Sequence, residues 1–243
     1  MKTWSTSSGI KLVQILSGRG NVFLITNNQK YILVDTSAEF MWKTLQKRLD
    51  SLHVKQIDLL ILTHTHFNHA ANACRIKEKY ESAVIIHQSE TRFLTTGENI
   101  LPTGTNIFAK SLVKLFAKQF ISIARFSPCN YDIIFDDFFA LADYSINGYL
   151  IHTPGHTQGS ISVIIDNEIA LVGDTMFGIF WWTVFPPFAA DQDLLINSWE
   201  KLLKTNCKVF IPSHGSANKR YLVEKDYARR IIAKKEILKY NAS

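Results

Sequence analysis

The stretch IDLLILTHTHFNHA, residues 57–70, constrains this chain more than any other part of it. Its first half is apolar except for Asp58, the pattern of a strand buried on both faces rather than one with a wet side. Such a strand needs covering layers above and below it, which points to an α/β arrangement. The strand then runs into a turn that carries His64, His66 and His69. Residues at the carboxyl end of a buried strand sit at one edge of the sheet, where open α/β folds place their sites.

The flanking sequence agrees with that reading. IKLVQIL (10–16), NVFLIT (21–26) and YILVD (31–35) are β-rich runs separated by Ser17-Gly18-Arg19-Gly20 and Asn27-Asn28-Gln29, as expected of antiparallel strands joined by tight turns. A helix is predicted from about Glu39 to Leu52, with Phe40, Leu45, Leu49 and Leu52 as its apolar stripe. A second helix is predicted from about His69 to Tyr80, followed by a strand at AVIIH (83–87). Strands are predicted again at 148–153, 161–166, 168–173 and 208–212, with an amphipathic helix from about Asp191 to Lys204 and a basic helix from about Leu222.

Residues 92–145 interrupt this rhythm. Within them, IFAKSLVKLFAKQFISIARF (107–126) has a helical pattern in which Lys110, Lys114 and Lys118 share a face. Two readings stand: a surface helix packed on the core, or a helical cap inserted over a site. The expectation is a single domain spanning 1–243 with a cap insertion at about 92–145, because no low-complexity tract or repeat divides the chain.

More chemistry follows the later strands. His156 lies in HTPGHTQGS, Asp174 in LVGDT and His214 in IPSHGS, each just past a predicted strand. Five histidines and an aspartate would thus converge on one sheet edge. A single buried histidine is more often structural than a ligand, but five in this placement reverse the odds. Imidazoles with a carboxylate suit zinc, iron or manganese, provided the rings are neutral. His64 and His66, two apart in a loop, can point at one ion, while His69 at the start of a helix can turn toward a neighbouring one. His53, His87 and His152 are expected to be structural.

Taken in order, LVDTS (33–37), HTHFNH (64–69), TPGHTQGS (153–160), GDT (173–175) and PSHG (212–215) resemble the five sequence motifs of the metallo-β-lactamase superfamily. The resemblance implies a four-layer αββα sandwich of two pseudo-equivalent halves, with a two-metal centre at one edge between the sheets. It assigns His64, His66 and His156 to the first metal and His69 and His214 to the second, with Asp174 bridging them. Asp35 falls where the family keeps a buried aspartate that supports the metal loop through hydrogen bonds. The implied activity is hydrolysis by a metal-activated hydroxide, with two divalent ions, zinc first and iron or manganese as alternatives.

One position departs from the pattern. The family's second motif is usually HxHxDH, and Asn68 stands here in the place of the aspartate. An amide offers a carbonyl oxygen but no negative charge, and it cannot act as a base. Three outcomes are open. The centre stays dinuclear with Asn68 as a neutral ligand or a donor to substrate. It works with one metal, or with a metal other than zinc. Or the chain is a catalytically weakened homologue that binds a ligand and turns it over slowly.

The segment MFGIFWWTVFPPF (176–188) begins just after Asp174 and is rich in aromatic residues. It reads as a plug for the core, as a dimer contact, or as an apolar wall in which Phe177, Phe180, Trp181 and Trp182 would meet substrate. The resemblance is greatest to the lactonase, glyoxalase-type thioesterase and uncharacterised hydrolase branch, so a lactone, ester or thioester with an apolar part is expected. A homodimer is consistent with the aromatic cluster.

Composition excludes several classes. The net charge of +6 is spread over helical faces with a small cluster at Lys234, Lys235 and Lys239, and no basic stripe with interleaved aromatics suggests nucleic acid. No uncharged apolar run reaches bilayer length, and the N-terminus lacks a signal-peptide pattern. Three cysteines without a CxxC pair suit a reducing compartment, so a cytoplasmic location is expected.

Overall fold

A computed structural model of the chain describes residues 1–18, 20–98, 103–105, 111, 115 and 125–241. The helix expected over 107–126 therefore lies almost wholly outside the described residues. Two sheets form the centre. In the first, β1 (Thr3–Ser5), β2 (Lys11–Leu16), β3 (Val22–Thr26), β4 (Tyr31–Val34), β5 (Leu59–Ile61), β6 (Ala83–His87) and β7 (Ile133–Phe135) lie side by side in chain order. In the second, the order is β13 (Asn218–Lys219), β12 (Val209–Ile211), β11 (Ile169–Leu171), β10 (Ile161–Ile165), β9 (Gly148–His152) and β8 (Phe138–Ala140). The run from β4 to β7 is parallel, as is the pair β11–β12, and the remaining pairs are antiparallel.

The α-helices with bounds among the described residues are α1 (Trp42–Ser51), α2 (Phe67–Ala70), α3 (Ala73–Tyr80), α4 (Thr91–Thr96), α5 (Gln192–Leu203) and α6 (Arg220–Asn241). Alternation along the strands fixes the layers. Phe23, Ile25, Ile32 and Val34 face the second sheet and meet Val163 and Leu171 in a buried middle layer. Leu24 and Leu33 point the other way, against Leu45 and Leu49 of α1 and Ile76 of α3. Beyond the second sheet, Ala170 and Phe210 pack on Trp199 and Leu202 of α5 and Val223 of α6. The result is the expected αββα sandwich, and each fully buried Leu or Ile contributes about 1.5–3 kcal/mol. No helix among the described residues is long and apolar enough to cross a membrane.

Two local outcomes differ from expectation. The helix expected from His69 to Tyr80 is broken after Ala70 and restarts at Ala73. At the break the Asn72 N–H donates to the Thr36 hydroxyl oxygen (3.0 Å) and not to a carbonyl one turn back, while its side chain donates to the carbonyls of Thr36 and Ala38 (3.0 and 2.9 Å). Part of the 92–145 segment is sandwich rather than insertion, since 133–135 and 138–140 supply a strand to each sheet.

Candidate metal centre

The site grows from strand ends. β5 passes directly into Thr63 and His64, and β4 into Asp35. β11 leads to Asp174, β12 to His214, and the loop after β9 to His156. Asp35 adopts a left-handed backbone (φ 62°), which Asp tolerates better than most residues. That conformation turns its carboxylate back over the sheet edge. The Thr63 N–H donates to Oδ1 (2.8 Å), and the Thr63 hydroxyl donates to Oδ2 (2.8 Å). His69 Nδ1–H and the Ser213 hydroxyl also reach Oδ2, at 2.9 and 3.3 Å. One buried carboxylate thus ties together the turn that carries His64, His66 and His69 and the segment that carries His214.

Those bonds decide which ring nitrogens face inward. His69 gives its Nδ1–H to Asp35, so Nε2 faces the site. His156 gives Nδ1–H to the Phe188 carbonyl (2.9 Å), which also turns Nε2 inward. Thr63 Oγ1, whose proton goes to Asp35, can accept from His64 Nδ1 (3.1 Å), leaving His64 Nε2 inward as well. The inward atoms crowd together: His66 Nδ1 lies 3.1 Å from His64 Nε2 and 3.0 Å from His156 Nε2. Three neutral rings bring at most one proton, on His66 Nδ1, to these three nitrogens, an arrangement well suited to a shared cation. His64, His66 and His156 form one such group, and His64, His69 and Asp174 another.

Asp174 supplies the second line of evidence. It is buried, and its Oδ1 has no hydrogen-bond partner among the described residues, with His69 Nε2 3.6 Å away. Its Oδ2 lies 3.4 Å from both His156 Nε2 and His214 Nε2. A buried carboxylate oxygen left unpaired is costly. A divalent cation would satisfy it, so the donor set fits the group that the histidines imply.

Electrostatics point the same way. Burial, reinforced by neighbouring imidazoles, holds His64 and His66 well below the usual histidine range, so both are neutral and free to ligate. Burial also lowers His156, with Asp174 offsetting part of it. Burial opposes charge on His69 too, but Asp174 and Asp35 outweigh it and raise its pKa to about 10. Asp174 is held well below the carboxylate range, because His214, His69 and His156 overcome the effect of its burial. Two carboxylates facing one ring thus favour positive charge between them.

Asn68 lies at the rim. Its Nδ2 is 2.9 Å from His69 Nε2 and 3.1 Å from His214 Nε2. The amide spans the two histidines expected to hold a second ion. Gly20 packs against the backbone of Asn68: a Cβ there would lie 2.2 Å from its main-chain carbonyl oxygen, at a backbone φ of 132°. Only glycine allows this approach. His64, His66, His69, His156 and Asp174 are buried, whereas Asn68 and His214 are half-buried, so the opening lies on their side.

The aromatic segment after Asp174 divides. Phe177 is buried and its ring packs on His214, with centroids 4.8 Å apart. Phe180, Trp181 and Trp182 point outward and are 40%, 84% and 50% exposed. Phe185 turns back to the core against Trp199. His87 and His152 stack on each other (4.0 Å) away from the candidate ligands, and His53 caps the turn after α1.

Three contributors have no signal in the sequence: Thr63, Ser213 and Glu90. Glu90 is 1% exposed and accepts bonds from the backbone of two histidine-bearing loops. An acid in a short QSE turn ordinarily faces solvent, and nothing in the spacing marks this one as buried.

A four-layer αββα sandwich with clustered histidines and an aspartate at one edge defines a class of metal-binding proteins. The family model "Metallo-beta-lactamase superfamily" matches residues 17–214, and the chain belongs to that superfamily, whose members are metal-dependent hydrolases. It is 29% identical over 211 residues to a probable metallo-hydrolase of Methanocaldococcus jannaschii, covering 84% of this chain and 93% of the relative. It is 27% identical over 212 residues to hydroxyacylglutathione hydrolase GloC of Haemophilus influenzae, covering 85% and 91%. A crystal structure of an archaeal metallo-beta-lactamase superfamily protein from Sulfolobus tokodaii superposes with a TM-score of 0.65, at 17% identity over 90% of this chain and 86% of that one.

Proposed function

We propose that the chain is a metal-dependent hydrolase of small ester, lactone or thioester substrates with an apolar part, acting in a reducing, cytoplasmic setting. His64, His66 and His156 would hold one divalent cation, zinc first. His69, His214 and Asp174 would hold a second, with Asp174 placed to serve both. When bound, such ions lower the pKa of coordinated water to about 7 and polarise a carbonyl. The chain's own residues prepare for that chemistry. Asp35, Thr63 and the Phe188 carbonyl fix three ring orientations, and the half-buried Asn68 and His214 border the way in. Phe177, Phe180, Trp181 and Trp182 would offer an apolar approach beside His214. The observation that carries this reading is the buried Asp174 Oδ1, which accepts no hydrogen bond among the described residues, set among inward-facing imidazole nitrogens.

The test is metal analysis after purification without chelator, followed by a panel of lactones, aryl esters, thioesters and phosphodiesters with Zn, Mn and Fe. Bound transition metal and hydrolysis of a carbonyl ester or thioester are expected. A chain that holds no metal and gains no activity from any of the three ions would refute the proposal.

A second reading, a weakened ligand-binding homologue, draws on the Asn68 amide, which spans His69 and His214. Asn68→Asp restores an anionic ligand and is expected to tighten the second ion by tenfold or more, about 1.4 kcal/mol. Turnover by the wild type favours the enzyme, and turnover by Asn68→Asp alone favours the weakened homologue.

A further inference from the structure

The two loops proposed to grip the first cation come from different sheets. His64 and His66 follow β5 of the first sheet, and His156 follows β9 of the second. We propose that Glu90, a residue outside the ligand set, is a positioning residue that clamps these loops in register through its carboxylate.

The geometry is specific. Glu90 sits in the short turn after β6, fully enclosed. Its Oε2 accepts from the N–H of Thr65 (3.0 Å) and from the Thr65 hydroxyl. Thr65 is the residue between His64 and His66. Glu90 Oε1 accepts from the N–H of Gly159 (3.2 Å), in the loop that carries His156. From Gly159 the linkage passes through Ser160, whose hydroxyl oxygen accepts from the Thr157 N–H (3.0 Å), to the residue after His156. One carboxylate therefore holds both loops, one through each oxygen.

Two features show that the contact is built in. A Cβ at Gly159 would lie 2.4 Å from Glu90 Cγ and 3.0 Å from Oε1, so the loop can close on the carboxylate only without a side chain there. Glu90 also has no ion-pair partner among the described residues. A buried carboxylate without a countercharge depends on its hydrogen-bond donors, and all of these belong to the two loops. The converse holds for the loops, since the Thr65 and Gly159 amides lose their acceptor if the carboxylate is removed.

Glutamine is the informative replacement. It keeps the shape of glutamate but presents oxygen to one loop and an NH2 group to the other, where it would face an N–H donor. Glu90→Gln should free one loop and keep the other. Replacing groups that orient ligands costs about 10- to 100-fold in metal affinity. Glu90→Asp, with two acceptor oxygens on a shorter arm, should recover part of the loss. Thr65→Val removes only the hydroxyl donor and should lose less.

The inference rests on reading His64, His66 and His156 as one cation site, and the experiment separates the two claims. Zinc affinity is measured for the wild type, Glu90→Gln, Glu90→Asp and Thr65→Val. Amide hydrogen exchange at residues 64–66 and 156–160 is measured in the metal-free proteins. The expected result is a 10- to 100-fold weaker zinc site in Glu90→Gln, partial recovery in Glu90→Asp, and faster exchange in one or both loops. Equal affinity with unchanged exchange in both loops overturns the role of Glu90. Should the wild type bind no zinc, the metal-site reading fails, and unchanged exchange in metal-free Glu90→Gln still overturns the clamp. If Glu90→Gln does not fold, Thr65→Val decides: unchanged affinity and exchange there sink the proposal.

Discussion

At the residue scale, the proton on His69 and the orientation of the Asn68 amide are one coupled choice. With His69 neutral at Nε2, the amide nitrogen can donate to it across 2.9 Å. With His69 charged, the amide's oxygen belongs on that side. Asp174 and Asp35 overcome burial and raise the His69 pKa to about 10, which favours a proton on the metal-free ring. Its folded pKa lies above its unfolded value of 6.5. The stability it contributes is therefore complete below about 6.5 and fades as pH rises through about 10. His64 and His66 shift the opposite way, so their contribution is present above 6.5 and is lost on acidification. A cation that uses His69 Nε2 must displace its proton. Filling the site that uses His69 at pH 8 should release at least one proton, read from calorimetric heats in buffers of different ionisation enthalpy. Heats that do not depend on the buffer would contradict this.

At the element scale, α5 braces the second half of the site. Ser198 donates to the Pro154 carbonyl (2.6 Å), two residues before His156, and Trp199 Nε1–H donates to the Thr175 carbonyl (2.7 Å), beside Asp174. Trp199→Phe keeps an aromatic ring but orphans that carbonyl and leaves a small void. It should cost roughly 2–3 kcal/mol in urea unfolding. An unchanged unfolding midpoint would show that the bond is dispensable. Much of this framework was legible in the sequence, because β5 and β11, buried throughout, read as unbroken apolar runs whose ends locate His64 and Asp174, and the apolar runs of β9 and β12 likewise point to His156 and His214. Strands β7, β8 and β13 were not legible. They are two or three residues long and partly exposed, and pairing with longer neighbours, not their own composition, makes them strands. The break before α3 was hidden for a related reason: Asn72 is a surface-like residue whose partners, Thr36 and Ala38, lie far away in sequence. Glu90 was invisible because its burial depends on two loops that only the folded chain brings together.

At the scale of the whole molecule, the candidate ligands are divided between the sheets. His64, His66 and His69 belong to the first half, and His156, Asp174 and His214 to the second. A cation held by both sets binds the folded state and not the separated halves. Ligand present at a thousandfold over its Kd adds about 4.1 kcal/mol. For a chain of this size that corresponds to roughly 8–16 °C in Tm. Stripping the protein with chelator should lower its melting temperature by that order, and adding zinc back should restore it. A melting curve that ignores both treatments would mean that no ion bridges the seam. The same division sets an order of events at the ribosome. The first three imidazoles leave the ribosome long before the other three candidate ligands, so if they hold a cation the half-made chain can offer only part of the site. The complete cage exists only once strands from both sides have met.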